Sequence, residues 1–263
     1  MSCWEPCLPR RRAMSALSFE DETKESLVRL NKYISESGRC SRREADKWIE
    51  AGRVTCNGVP AVLGTRITGG DEVRVDGELI GAKKRQIYIA LNKPVGITCT
   101  TEPHIKDNII DLVGHRDRIF PIGRLDKDSE GLILLTNNGD IVNDLLRSEN
   151  NHEKEYTVTV NRPVTDLALS MMASGVKIAG AITKPCKVIR LDRETFSMIL
   201  TQGLNRQIRR MCSALGYRVR GLQRVRIRDI HLGDLGLGDW RYLTEREAAG
   251  LLPHSGVPDS PAR

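Results

Sequence analysis

Ile119-Phe120-Pro121-Ile122-Gly123-Arg124-Leu125-Asp126-Lys127-Asp128-Ser129-Glu130-Gly131-Leu132-Ile133-Leu134-Leu135 lies near the middle of a 263-residue chain and decides how the rest is read. Two short apolar runs flank a charged loop bounded by glycines, and the turn-forming Thr136-Asn137-Asn138-Gly139 follows. Apolar runs of this length bounded by turn residues read as buried strands. A loop joining them can carry a carboxylate at the lip of a sheet, where binding and catalytic groups gather. The stretch alone leaves a solvated loop and an active site equally open.

Downstream, Asp140 can cap a helix carrying Ile141, Val142, Leu145 and Leu146. From Lys154 the residues alternate, so Lys154, Tyr156, Val158 and Val160 share one face of a strand. Residues 163–175 read as a helix, 177–190 and 196–202 as strands. Thr244 and Glu247 form a capping box for a last helix. Upstream, Ile87-Tyr88-Ile89-Ala90-Leu91 reads as a strand, and Asn92-Lys93-Pro94-Val95-Gly96 as a sharp turn. Helices and strands are mixed without regular βαβ alternation. The expected fold class is therefore α+β, with a mixed, largely antiparallel sheet and flanking helices.

The N-terminal part has a different character. Residues 1–26 lack periodicity and are expected to be a disordered tail, within which Met14 is an alternative start. Leu30, Tyr33 and Ile34 have helical spacing up to Gly38. Ser41 and Glu44 form a capping box for a second helix with Ala45, Trp48 and Ile49 inward. Arg42 and Arg43 then occupy its first turn, where the helix dipole disfavours cations unless an anion is near. Asn57-Gly58 and Asp76-Gly77 read as hairpin turns. Between Arg29 and Arg53 seven cations, including Lys32, face four acids, so the helices are the basic side. The expected division is a small module at 27–80, a linker at 81–86, a larger domain at 87–252 and a loose tail at 253–263.

Composition narrows the function. The seven cysteines form no C-x-x-C pair and the five histidines have no metal-ligand spacing. Reduced thiols, no metal and a cytoplasmic location are expected. No run is long and apolar enough for a membrane span. Phosphate-binding glycine motifs are absent, and no nucleotide cofactor is expected. Net charge is +7, yet residues 205–228 alone hold eight arginines and no acid. Within them Ile208, Met211, Cys212 and Leu215 mark a buried helix stripe, with Arg206 and Arg210 opposite and Arg209 at the core edge. Arg224, Arg226 and Arg228 alternate, which predicts one cationic strand face. An acid-free run of this size points to nucleic acid. With three Phe and five Tyr, a broad base-stacking platform is disfavoured, and Tyr156 is the aromatic expected against a base.

RLNKYISESGRCSRREADKWIEAGRVTCNG resembles the S-four RNA-binding domain, which implies helices that grip structured RNA through phosphates. Behind it, GRLDKDSEGLILLTN, HEKEYTVTV and GLNRQIRRMC resemble bacterial ribosomal RNA pseudouridine synthases of the small-subunit-uridine-516 branch. VRLNKYISESG, SRREAD and NNHEKEY are most similar to the F type within it, which acts on the large-subunit (23S) RNA. This resemblance implies a uridine isomerase without metal or nucleotide. Asp126 would attack the uridine covalently, at the ribose or at the base. The glycosidic bond breaks, the uracil turns, and it rejoins through carbon five. Tyr156 would stack on the flipped base and help move a proton, and Arg209 would pair with Asp126. Arg124 would help open the RNA, Lys154 and Leu132 would line the pocket, and Asp128 and Glu130 would be solvated. Arg206, Arg210, Arg29, Lys32, Arg42 and Arg43 are the expected RNA contacts. The implied partner is 23S ribosomal RNA or an assembling large subunit, bound by a monomer. A tRNA anticodon loop, or a non-catalytic role in ribosome assembly, is the alternative.

Overall fold

The computed structural model describes residues 27–81, 85–146 and 152–251. The expected tails at 1–26 and 253–263, the alternative start at Met14 and positions 82–84 of the linker lie outside the described residues.

The first elements are β1 (Val28–Arg29), α1 (Leu30–Glu36), α2 (Arg42–Glu50), β2 (Val54–Cys56), β3 (Val59–Pro60), β4 (Arg66–Ile67), β5 (Val73–Val75) and β6 (Glu78–Leu79). Ser41 Oγ accepts from the Glu44 N–H at 3.1 Å, which starts α2 at the capping signal. Both dipeptide turns take left-handed backbone at both residues, Asn57-Gly58 at φ 50° and 79° and Asp76-Gly77 at 52° and 81°. That geometry closes two-residue hairpins, here β2–β3 and β5–β6 in a sheet ordered β3-β2-β5-β6. Leu30, Ile34, Ala45 and Ile49 from the helices pack on Val54, Val73 and Val75, giving this part its own core. Trp48 is only partly buried, and the Arg53 guanidinium lies 5.0 Å over its ring.

The second part begins with β7 (Tyr88–Lys93), α3 (Ile109–Val113), β8 (Phe120–Ile122), β9 (Glu130–Thr136), α4 (Asp140–Leu146) and β10 (Lys154–Val160). It continues through α5 (Asp166–Ser174), β11 (Lys177–Ile178), β12 (Ala181–Ile182), β13 (Lys187–Arg190), β14 (Thr195–Leu200) and α6 (Gln207–Ala214). It closes with β15 (Val219–Ile227), β16 (Ile230–His231), β17 (Trp240–Tyr242) and α7 (Glu245–Leu251). The main sheet runs β13-β14-β10-β15-β9-β7-β17, with β16 beside β15 and β8 beside β9. Among these strand pairs only β15–β9 is parallel, so the α+β expectation holds.

β9 is buried on both faces. Leu132 and Leu134 pack with Ala90, Ile141 and Leu145, while Ile133 and Leu135 pack with Ile89, Leu91 and Ile109. A strand covered on both sides reads as a continuous apolar run. Residues 177–190 are not one strand. Ala179 and Gly180 turn at φ 48° and 82°, folding β11 onto β12 before β13 starts. Asp140 is the first residue of α4 rather than its cap, and its N–H is held by Asn138 Oδ1 at 3.0 Å.

Candidate active site

The loop between β8 and β9 is pinned at both ends and in the middle. Leu125 is buried as a plug, its N–H 3.4 Å from Cys99 Sγ. The Asp126 carbonyl accepts from the Ser129 N–H at 3.1 Å, and the Lys127 carbonyl from Gly96 at 2.8 Å. Gly131 has φ +101°, and a Cβ there would run into the Arg224 carbonyl and stand 2.7 Å from its nitrogen. Only glycine lets β9 approach β15 this closely in their parallel join. Asp126 is left 32% exposed on the rim of a cleft of about 710 Å³.

The opposite wall comes from β10 and β15. Tyr156 pairs with Arg224 and Glu155 with Arg226, so Val225 is an extra residue in a β-bulge. The bulge overturns the expected cationic strand face. Arg224 joins Lys154 and Tyr156 on the cleft side, while Arg226 turns to the back and forks onto Glu153 and Glu155, each at 2.9 Å. Arg224 is 4% exposed and its Nε donates to the Leu132 carbonyl at 2.7 Å. Its Nη2 is buried without a hydrogen-bond partner among the described residues. Burial, and then the Arg224 charge, pull the Lys154 ammonium below its ordinary range. Leu132 does not line the cleft; its side chain is fully buried and only its carbonyl serves the site, through Arg224.

The arginines of α6 divide differently from the expectation. Ile208, Met211 and Cys212 are buried as the spacing required. Arg206 is the left-handed N-cap at φ 51°, outside the helix proper. From there it forks onto Asp128 at 3.0 and 2.8 Å, and its Nη1 lies 3.7 Å from Asp126 Oδ2. Arg209, one turn in, reaches the end of the loop instead. Its Nη2 donates to the Asp128 carbonyl at 2.6 Å and to Ser129 Oγ at 3.1 Å, with Nε 3.4 Å from Asp128 Oδ2. The cation beside Asp126 is thus Arg206, and the expected Arg209–Asp126 pair is corrected. Asp128 is not a solvated acid either; the Arg206 hydrogen bond holds its carboxyl below the usual range. Arg210 is tied to Asn205 Oδ1 at 3.0 Å, and Arg124 is an exposed residue on the cleft rim.

Lys93, which the sequence placed only in a strand and turn, is fully buried near this loop. It donates to the Pro94 and Ile97 carbonyls at 2.8 and 3.0 Å, and burial lowers its pKa. The one sequence signal was a lysine at the end of an apolar strand, next to the Pro-Val-Gly turn.

Of the basic residues on the first part, Arg29, Arg42 and Arg43 are exposed. Lys32 is engaged with Glu36 at 3.6 Å and, across to the second part, with Asp140 at 2.5 Å. Among the described residues no three His, Cys, Asp or Glu side chains are grouped to hold a metal, and no helix is long and apolar enough to cross a membrane. A half-buried carboxylate flanked by a guanidinium, with a tyrosine, a lysine and a buried arginine across a cleft, suits covalent chemistry on a polar ring.

Known proteins resemble the chain over most of its length. A family model described as RNA pseudouridylate synthase matches residues 87–214, and one described as S4 domain matches residues 28–73. The dual-specificity RNA pseudouridine synthase RluF of Escherichia coli (strain K12) is 55% identical over 230 residues, covering 87% of this chain and 79% of that protein. The ribosomal large subunit pseudouridine synthase B of Bacillus subtilis (strain 168) is 33% identical over 234 residues, 86% of this chain and 96% of that one. A crystal structure of a pseudouridylate synthase superposes with a TM-score of 0.63 at 32% identity, over 86% of this chain and all of the other.

Proposed function

The chain belongs to the RNA pseudouridine synthase family and carries an S4 domain, and from that premise we propose that it isomerises a uridine of 23S ribosomal RNA with Asp126 as the nucleophile. The observation that carries the assignment is the Asp126 carboxylate on the rim of the cleft, 3.7 Å from Arg206 and within the same walls as Tyr156 and Arg224. Asp126 attacks the target uridine and the N1–C1′ bond breaks. The uracil turns in the cleft, a C5–C1′ bond forms, and the bond to Asp126 breaks again, which regenerates the carboxylate. One carbon–nitrogen bond is exchanged for one carbon–carbon bond, and a proton passes from C5 to N1. The reaction is therefore redox-neutral and consumes no co-substrate.

Tyr156 stacks on the flipped base and helps move the proton. Arg224, whose Nη2 has no partner among the described residues, donates to the uracil or its ribose. Arg209 fixes the loop that presents Asp126, Arg124 helps open the RNA, and Lys154 lines the pocket. Extracting a base costs a few kcal/mol. Stacking on one ring returns about 1–3 kcal/mol. Phosphate contacts from Arg206, Arg210, Arg29, Arg42 and Arg43 supply the remainder, which makes binding strongly salt-dependent. Lys32 is the exception among the expected contacts, since its ammonium is engaged with acids on both sides.

The finer placement is the F type, acting on 23S RNA, within the small-subunit-uridine-516 branch; the RluF and large-subunit names of the relatives support the type and the RNA, and the branch rests on the sequence motifs. The division into an RNA-binding module at 27–80, a linker at 81–86 and a catalytic domain at 87–252 is part of the same reading, as are a monomeric state and a cytoplasmic location. "Dual-specificity" in the name of one relative favours a second RNA substrate, for which a tRNA anticodon loop is the alternative. A purely RNA-binding role would leave the Asp126 cleft without use. Chemical mapping of pseudouridine in the ribosomal and transfer RNA of a deletion strain tests the reading. One 23S position should lose its modification and regain it on complementation; loss confined to tRNA would overturn the 23S assignment.

A further inference from the structure

A second concavity, of about 550 Å³, is lined by Asn161, Arg206, Arg209, Ser213, Tyr217 and Arg218. None of its lining residues is acidic. Arg162 adds a further cation, its guanidinium stacked 4.7 Å over the Tyr217 ring. The local backbone is shaped to keep it there. Gly216 has φ +79°, and a Cβ at that position would stand 3.0 Å from Arg162 Nη2. The Arg218 N–H donates to Asn161 Oδ1 at 2.7 Å and the Asn161 N–H to the Arg218 carbonyl at 3.0 Å, which ties the start of β15 to the end of β10. Arg162 and Arg218 are thereby held at neighbouring positions with exposed side chains.

Arg206 lines both this groove and the cleft that contains Asp126. A strand that places one nucleotide in the cleft can therefore continue into the groove past Arg206. Around that groove stand four guanidinium groups, Arg162, Arg206, Arg209 and Arg218, and the Ser213 hydroxyl. Asp128, the acid that Arg206 and Arg209 share, offsets one charge of the four. Guanidinium forks match phosphate oxygens two at a time, and clustered arginines repel one another unless a polyanion lies between them.

We propose that this groove is a phosphate track for the RNA strand adjoining the flipped uridine, with Arg162 and Arg218 as its outer contacts. The proposal rests on the Asp126 cleft being the uridine site. Its test uses an RNA hairpin spanning the modified uridine, made with single uncharged methylphosphonate linkages at successive positions. With native RNA, Arg162→Ala/Arg218→Ala should raise Kd about tenfold and make the dependence of log Kd on log salt shallower by about 1–2. Arg162→Lys/Arg218→Lys, which keeps the charge, should restore most of the affinity. One neutral linkage near the uridine should weaken wild-type binding by a similar factor and weaken the double-alanine protein no further. Unchanged affinity and slope, or losses that multiply at every linkage, would overturn the track. If the double-alanine protein does not fold, the linkage scan on wild-type protein decides, and a flat scan is fatal. Pseudouridine yield is read separately, so a wild type that passes the scan yet makes no product would sink the uridine reading and not the groove.

Discussion

Arg206 holds its guanidinium 3.7 Å from the Asp126 carboxylate while both of its terminal nitrogens are committed to Asp128. One cation from the cap of α6 therefore organises two acids of the same loop. Arg209 braces that loop one turn further along the helix, through the Asp128 carbonyl and the Ser129 hydroxyl.

This division predicts different failures for the two arginines. Arg209 is 15% exposed, and removing it orphans the buried Ser129 hydroxyl and frees the Asp128 carbonyl. Arg209→Leu should cost about 2–3 kcal/mol of stability, read from denaturant midpoints. Arg206 is 43% exposed, and its loss should cost less than about 1 kcal/mol. Arg206→Ala should instead lower the single-turnover rate at saturating RNA. Equal stability losses would contradict the split.

Gly131 should tolerate no side chain. Gly131→Ala drives a methyl into the Arg224 backbone at a left-handed position and should destabilise the protein by about 3 kcal/mol or more. Gly221→Ala, on β15, meets only Thr159 at 3.5 Å and should stay within about 1 kcal/mol of wild type. Thermal melts of the two variants make the comparison.

Arg224 carries a buried donor without a hydrogen-bond partner among the described residues. Arg224→Lys cannot hold the Leu132 carbonyl and also reach into the cleft. It should lower kcat/KM by about 10–100-fold, the worth of one charged hydrogen bond, with RNA affinity nearly unchanged. A loss in affinity alone would make Arg224 a phosphate contact.

Glu247 links α7 to the edge of the sheet. The Arg241 fork, aided by the Thr244 hydrogen bonds, holds its carboxyl down to about 2 from an ordinary 4.5. Its folded pKa is depressed, so its stabilisation is complete above about pH 4.5 and is lost as pH falls towards 2. Glu247→Gln should lower the melting temperature by about 2–6 °C at pH 7. The gap to wild type should close on acidification through that window. A gap independent of pH would show that the carboxylate charge is not the cause.

Local signals were legible in the sequence because their causes are local. Asn57-Gly58 and Asp76-Gly77 close hairpins through their own backbone preferences, and Ser41 and Thr244 cap helices three residues ahead of them. β9 was legible because burial on both faces leaves a continuous apolar run. The bulge at Val225 was not, since it arises from how β15 meets β10, and it moved Arg226 to the back of the sheet. The partners of Arg206 and Arg209 were hidden for the same reason: α6 meets the β8–β9 loop about eighty residues away in sequence. The helical spacing did place Arg209 at the core edge, but it could not say which atoms of the loop it would find.

The central claim rests on Asp126, and one measurement bears on it most directly. Purified wild type and Asp126→Asn are incubated with 23S RNA from a deletion strain, and pseudouridine formation and RNA affinity are measured on the same preparations. Asp126→Asn should form product at less than about one ten-thousandth of the wild-type rate, as for loss of a nucleophile. Its Kd for RNA should stay within about threefold, because affinity comes chiefly from cations on phosphates and a carboxylate is not such a group. Product formation by Asp126→Asn at the wild-type rate would contradict the account.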